Sequence, residues 1–486
     1  TAAAANRDSG VDVLSAGNTI GGTRAEDRNL ISGNGDAGVF LSAGDNLVAG
    51  NLIGTDATGN AAVGNSRGIV VRSRGGALRA GINTIGGPAP EARNVISGNR
   101  GKGIQILSGS GNRIQGNRIG TGAEGRSAVA NLGPGIDSSG GTASRIGGTN
   151  GTTPDGPCAG DCNLVSGNRG DGILTGAGDS IQGNFVGTDA AGAIALPNQG
   201  SGVEIQARTR VTVGGTAGAA RNLISGNRTA GVEILGDSSE NAVQGNFIGT
   251  SVKGDGPLPN GLGVGIAGGA HANSVGGLLG TAGNLIAFNR GAGVSLDPTA
   301  GAGNAILSNW IFENGALGID LGNDGVTEND PGDPGRGPNA RQSFPVLTSI
   351  TFASVEGTLT SAPSTTYTLE FFANSSCDPS GYGEGQTRIA STTVSTDERG
   401  EASFGVSLTA PPGQPVTATA TDEAGNTSEF SPCQLSSVES PDTNGVEGAG
   451  GTRAAEPGRP SPLRAGVPGR GDRAEGAQAT YIPTRP

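Results

Sequence analysis

NLISGN at residues 29–34 returns as NVISGN at 94–99, NLVSGN at 163–168, NLISGN at 222–227 and NLIAFN at 284–289. Between these copies runs a second series: NLIGTD at 51–56, NRIGTG at 117–122, NFVGTD at 184–189, NFIGTS at 246–251 and NWIFEN at 309–314. A third places Ile20, Ile85, Ile146, Val213 and Val275 before Gly-Gly. Each period of about 60–70 residues therefore holds six short x-[IV] strands, which divide into two coils of three. Ten coils begin at residues 18, 46, 83, 112, 144, 179, 211, 241, 273 and 304. Strands this short, with Asn and Gly at every corner, do not build a hairpin sandwich. They build a parallel solenoid, in which each coil turns a few aliphatics inward and hydrogen-bonds to the next. At ~4.8 Å per coil, ten coils make a rod of about 50 Å. The Asn that opens every second strand, from Asn29 to Asn309, is expected in a left-handed conformation at a corner, its amide stacked in a ladder.

The rest of the composition narrows the function classes. The 486 residues include 93 Gly without a G-X-Y period, no Met and 3% aromatics, which leaves a thin core of Val, Ile and Leu. A net charge of −12, with Lys102 and Lys253 the only lysines, gives no basic stripe for a nucleic-acid partner. No apolar run is long enough to span a membrane. Four cysteines permit three pairings; the two local ones, Cys158 with Cys162 and Cys377 with Cys433, are the favoured set and imply an oxidising compartment. The first residues, TAAAANRDS, lack the period of a capping helix, so a cap and a secretion signal are expected before Thr1.

On these motifs, residues 6–434 resemble right-handed parallel β-helix proteins of the pectin-lyase-like superfamily. More narrowly, they look like secreted bacterial proteins that join N-x-I-x-G-N and IGTD repeats to a small C-terminal sandwich. The resemblance implies an all-β fold and a secreted or cell-surface location. It spans lyases, hydrolases, epimerases, adhesins and tailspikes, so it implies no single chemistry. The NTD, GHG, R-x-K and DPH motifs of catalytic members are missing, and the single histidine, His271, lies in a loop. The expected domains are the solenoid at 1–343, an immunoglobulin-like sandwich at 344–434 whose segments alternate at period two, and a disordered Pro/Gly/Arg-rich tail at 435–486. Arg470-Gly471-Asp472 in that tail spells an integrin tripeptide by chance.

Period two also picks out the faces that can carry chemistry. The second strands point an apolar series outward, which the neighbouring insertions can cover; left open, Phe185, Phe247 and Trp310 would form a stacking platform for sugar rings. The third strands carry the charges, among them Asp137 as a sugar contact and Glu204 and Glu233 on consecutive coils. Carboxylates roughly 5 Å apart suit a retaining glycosidase. Arg208 and Arg210 follow closely and would bind an acidic sugar or act as the base of a lyase. The segment from Asp320 to Asp333, with Asp324 and Asp330, offers a calcium site where solenoid meets sandwich. The first expectation for function is a glycan-binding or adhesive scaffold without catalysis. The second is a polysaccharide lyase or glycoside hydrolase on the third-strand face, and the third a structural spacer.

Overall fold

A computed structural model describes residues 6–72, 81–330 and 336–436. Three long parallel sheets run the length of the solenoid, one for each strand of the coil. The first-strand sheet has ten strands, from Thr19–Gly21 to Ala305–Leu307, and the second-strand sheet ten, from Leu30–Ile31 to Trp310–Phe312. The third-strand sheet has eleven, because Val11–Val13 pairs with Ala37–Leu41 below the first full coil. Spatial order follows the repeat order throughout, so the chain is a right-handed parallel β-helix. Inside, each strand contributes one or two β-branched or Leu side chains, stacked from Ile20 to Ile311 in a single continuous core.

Three asparagine ladders, not one, hold the corners. The first joins Asn29 through Asn184 to Asn309; Asn184 N–H, for example, donates to the Asn222 amide oxygen at 2.9 Å. The second runs from Asn34 through Asn65, Asn99, Asn131, Asn168, Asn198, Asn227, Asn260 and Asn289 to Asn314. The third begins at Asn18 and ends at Asn339. Along the first two ladders the amide oxygen accepts the backbone or side-chain N–H of the coil before and most side-chain nitrogens reach a carbonyl, whereas in the third Asn83 Nδ2 and Ser144 Oγ are buried without a partner. The expected left-handed backbone falls elsewhere: Arg93 before Asn94 keeps φ −67°, but on alternate coils of the first ladder the residue before the Asn takes it, as at Gly183 with φ 66°. A Cβ there would come within 2.2 Å of the Gly148 carbonyl, which explains the glycine.

Seven antiparallel strands follow in two sheets. Val346–Ile350, Ser354–Thr360 and Glu401–Ser407 form one; Thr387–Ser395, Thr366–Ala373, Pro415–Asp422 and Gln434–Leu435 form the other. Tyr367, Leu369, Phe371, Val355 and Val416 fill the space between them. Both disulfides take the local pairing, Cys158–Cys162 and Cys377–Cys433.

The small domain closes the end of the solenoid. Phe372 and Phe430 join the solenoid core beneath the last coil. The last coil's N–H groups have no further coil to pair with, and the sandwich supplies their acceptors. Glu370 takes Ser308 N–H, Glu384 takes Glu313 and Asn314, and Glu429 takes Leu321 and Thr327, all between 2.7 and 3.1 Å. Thr427 accepts from Ile306, and Gly385 exchanges two bonds with Ile311. These partners satisfy an otherwise open sheet edge. No helix among the described residues is long and apolar enough to cross a membrane. The Arg470-Gly471-Asp472 tripeptide and the tail from residue 437 lie outside the described residues.

Candidate functional site

The third-strand sheet is the polar face. Parallel register sets Glu204 against Glu233 and Gln105 against Asp137 on neighbouring coils. Glu204 is half-buried, and its carboxyl is pushed up to about 7, first by desolvation, then by the charges of Asp171 and Glu233 and a hydrogen bond to Asp171. That hydrogen bond needs one proton between the two carboxyls, so Glu204 holds it and donates to Asp171 on the coil below. Glu233 reaches back to Ser201, whose hydroxyl donates to it at 2.5 Å. Asp171 also accepts Ser201 N–H at 2.8 Å, so three carboxyls and one hydroxyl on three consecutive coils form one network.

Further along the same face the charges are paired. Asp137 is buried, bound by Lys102 across the coil and by the Ser139 hydroxyl and N–H within its own turn. Arg67 pairs with Asp36 and donates to Gln105 at 3.4 Å. The two arginines expected beside Glu204 are engaged elsewhere. Arg208 donates to the Ser139 and Thr175 carbonyls, tying three coils together, and Arg210 pairs with Glu240 at 3.0 Å. Neither is set against Glu204 as a lyase base would be.

The aromatic platform does not form. The hairpins after the second strands fold back over the outward stripe, bringing Gly192 against Phe185 and Leu223, and Gly254 against Phe247 and Leu285. Phe185 is 8% exposed and packs with Cys158, Cys162 and Leu223 beneath the disulfide loop. The Arg221 guanidinium covers Phe247 at 3.9 Å from the ring centre. Only Trp310, 39% exposed, keeps an open face, and a lone ring is not a platform.

In the acidic junction Asp320 is buried and raised, mainly by desolvation, and its Oδ1 is left without a hydrogen-bond partner. Among the described residues no group of three or more His, Cys, Asp or Glu side chains is placed to hold a metal. Asp324 lies in the turn after Asp320, Asp330 is exposed and Asp333 lies outside the described residues.

Asp171 and Ser201 are site residues that the pattern reading missed. Both precede the strand, at a corner where period two does not apply. The signal was the third-strand series itself, read two or three residues earlier.

No family model matches the sequence, and no curated protein does. Among solved structures, the chain is similar to the enzymatically active domain of bacteriophage CBA120 tailspike protein 2, at 10% identity and a TM-score of 0.27 over 84% of this chain and 68% of that one. It is also similar to the A-module of the Azotobacter vinelandii mannuronan C-5 epimerase AlgE4, at 13% identity and a TM-score of 0.29 over 61% and 82%. Likenesses this distant say nothing of what this chain does.

Proposed function

We propose that the chain is an exported or cell-surface β-helix that binds a glycan along its third-strand face and holds it without turnover. The observation that supports this reading is the linked set Asp171, Ser201, Glu204 and Glu233. It offers carboxylate and hydroxyl groups at the spacing of one coil, ~4.8 Å, which is close to the advance of one sugar ring along an extended chain. Sugar hydroxyls are donors as well as acceptors, and carboxylates are the strongest acceptors available to them. The two closed disulfides support an oxidising, extracytoplasmic setting. A solenoid face also extends the contact over many coils, so affinity can accumulate from individually weak subsites.

A second reading has one specific observation in its favour. A carboxyl pushed up to about 7 with a second carboxyl on the next coil is how a glycosidase acid is made, and Glu204 beside Glu233 has that form. A glycan array on the full chain, with product release followed in parallel, separates the two. Binding without product, abolished in Glu204→Gln/Glu233→Gln, is the expected result. Reducing ends or unsaturated sugars released by the parent protein and not by the double variant would replace the binding reading with the catalytic one. A parent protein that binds nothing on the array leaves only a spacer.

A further inference from the structure

The corner between the second and third sheets carries a row of charge that the polar face does not use. The residue after each second-ladder asparagine stacks directly on its equivalent in the next coil. Backbone bonds fix this register: Arg100 N–H donates to the Asn65 carbonyl, Arg169 to Asn131, Arg228 to Asn198 and Arg290 to Asn260. The file reads Gly35, Ser66, Arg100, Leu132, Arg169, Gln199, Arg228, Gly261, Arg290, Gly315. Arginine therefore recurs on every second coil, with a neutral residue between, and the file holds no acid.

All four arginines are exposed, and among the described residues none is in ion-pair reach of a carboxylate. Arg100 makes one bond, to the Asn34 carbonyl at 3.1 Å, which leaves most of its donors outward. Asp171, two residues beyond Arg169, is turned to Ser201 and Glu204 instead. In a chain of net charge −12, a four-arginine file without a counter-charge is a local reversal of sign. It runs beside the third-strand face, since each of these corners leads straight into a third strand.

We infer that this file is a rail for a linear acidic polysaccharide with one negative group per disaccharide, a reading that rests on the glycan-binding function proposed above. Two coils advance about 10 Å along the axis, close to one disaccharide of an extended chain. A polymer lying parallel to the axis then brings an anionic group to each arginine in turn. The intervening uncharged sugars lie over Leu132, Gln199 and Gly261. Guanidinium suits this role, because its planar fork donates to two oxygens of a carboxylate or sulfate at once. The sugar hydroxyls on the inner side meet the carboxylate network around Glu204, while the polymer's own charges are kept on the arginine side, away from those acids. Pairs exposed to solvent are individually weak, so the rail works by the number of simultaneous contacts and by their spacing.

The test uses the full chain with three length-matched polymers. Hyaluronate carries one carboxylate per disaccharide, polygalacturonate one per sugar, and dextran none. Hyaluronate should bind tightest, with an affinity that falls as salt is raised. Arg169→Gln/Arg228→Gln should weaken hyaluronate at least ten-fold without changing dextran or the melting temperature. Undiminished hyaluronate binding by that variant overturns the rail, and so does dextran binding as well as hyaluronate. Polygalacturonate binding as tightly as hyaluronate overturns the charge spacing. Polymer binding that is lost in Glu204→Gln/Glu233→Gln but unaffected by the arginine changes sinks the rail alone. Failure of all three polymers removes the glycan reading with it.

Discussion

Raising the pH from 5 to 8.5 should loosen the capped end of the solenoid, and Glu429 should account for most of the change. Its carboxyl is buried between the sandwich and the last coil and is pushed up to about 7, first by desolvation and against the hydrogen bonds from Leu321 and Thr327; Asp320 adds like-charge repulsion. In the unfolded chain the same group sits near 4.5. A folded value above the unfolded one means that the docked end binds the proton more tightly. The resulting stabilisation is complete below pH 4.5 and is lost as the pH rises through 7. The gap amounts to about 3 kcal/mol at most. Glu370 and Glu384, raised mainly by desolvation, act in the same direction, although Arg388 at 3.5 Å moderates Glu370.

The chain contains its own probe. Trp310 is the only tryptophan, and the neighbouring Ile311 bonds to Gly385 of the sandwich in both directions. Urea unfolding followed by Trp310 fluorescence should give a lower midpoint at pH 8.5 than at pH 5. Glu429→Gln cannot ionise, but it has one oxygen where two N–H groups need acceptors at 2.7 and 2.9 Å. It should lose about 1–3 kcal/mol at pH 5 and show a much flatter pH response. The two proteins should thus differ at pH 5 and converge at pH 8.5. A wild-type midpoint that is flat or rises with pH, or a glutamine variant with the parent's slope, would refute the reasoning.

Four further outcomes are expected. Glycan binding should change across pH 7 as Glu204 gives up its proton, and Glu204→Gln should remove that inflection from a binding-versus-pH curve. Phe185→Ala should cost about 3–5 kcal/mol in thermal unfolding and leave glycan affinity unchanged, because the ring is core beneath the disulfide loop. Asn222→Ala should strand the Asn184 N–H and the Ile181 carbonyl; about 1–3 kcal/mol per group should appear as faster amide exchange in the coils starting at 179 and 211. Cys377→Ser/Cys433→Ser should remove about 2–5 kcal/mol from the sandwich and, through Ile311 and Gly385, expose Trp310 at lower urea.

The repeat was legible because stacking in register demands the same side-chain size at the same place in every coil, and Ile20, Ile85, Ile146, Val213 and Val275 meet that demand in plain view. The second ladder was equally visible, since each copy of N-x-I-S-G-N ends on one of its members, but the reading counted only the leading Asn. What covers a face is another matter. Period two says that Phe185 points out of the coil; it is silent on whether a hairpin then lies over it. The junction was beyond reach for the same reason. Leu321 and Thr327 find their acceptor in Glu429, about a hundred residues on, and no local pattern announces a pairing of that span. Oxygen-rich sequence from Asp320 onward read as a cation site, and nothing local showed that Asp320 would be buried beside Glu429 of the sandwich.

Where the repeat fails is itself informative. At the third corner the asparagine ladder is interrupted on three consecutive coils, those starting at Ser144, Asp179 and Val211. No bond joins Asn112 to Ser144 in the ladder pattern; Ser144 N–H goes to the Asp179 carboxyl, and Val211 N–H resumes the series at Asn241. Asp179 is raised to about 6, mainly by desolvation, and is held by the Ser138 hydroxyl and Gly176 N–H. A buried acid is a costly replacement for the neutral amide that serves the seven coils keeping the ladder. The same three coils carry Asp171, Glu204 and Glu233 on the third-strand face, and the first of them carries the Cys158–Cys162 insertion. In a stack whose energy comes from sameness, a corner, a face and a connection that depart together mark coils shaped by something other than stacking. The proposed glycan contact around Asp171, Ser201, Glu204 and Glu233 falls on these same middle coils.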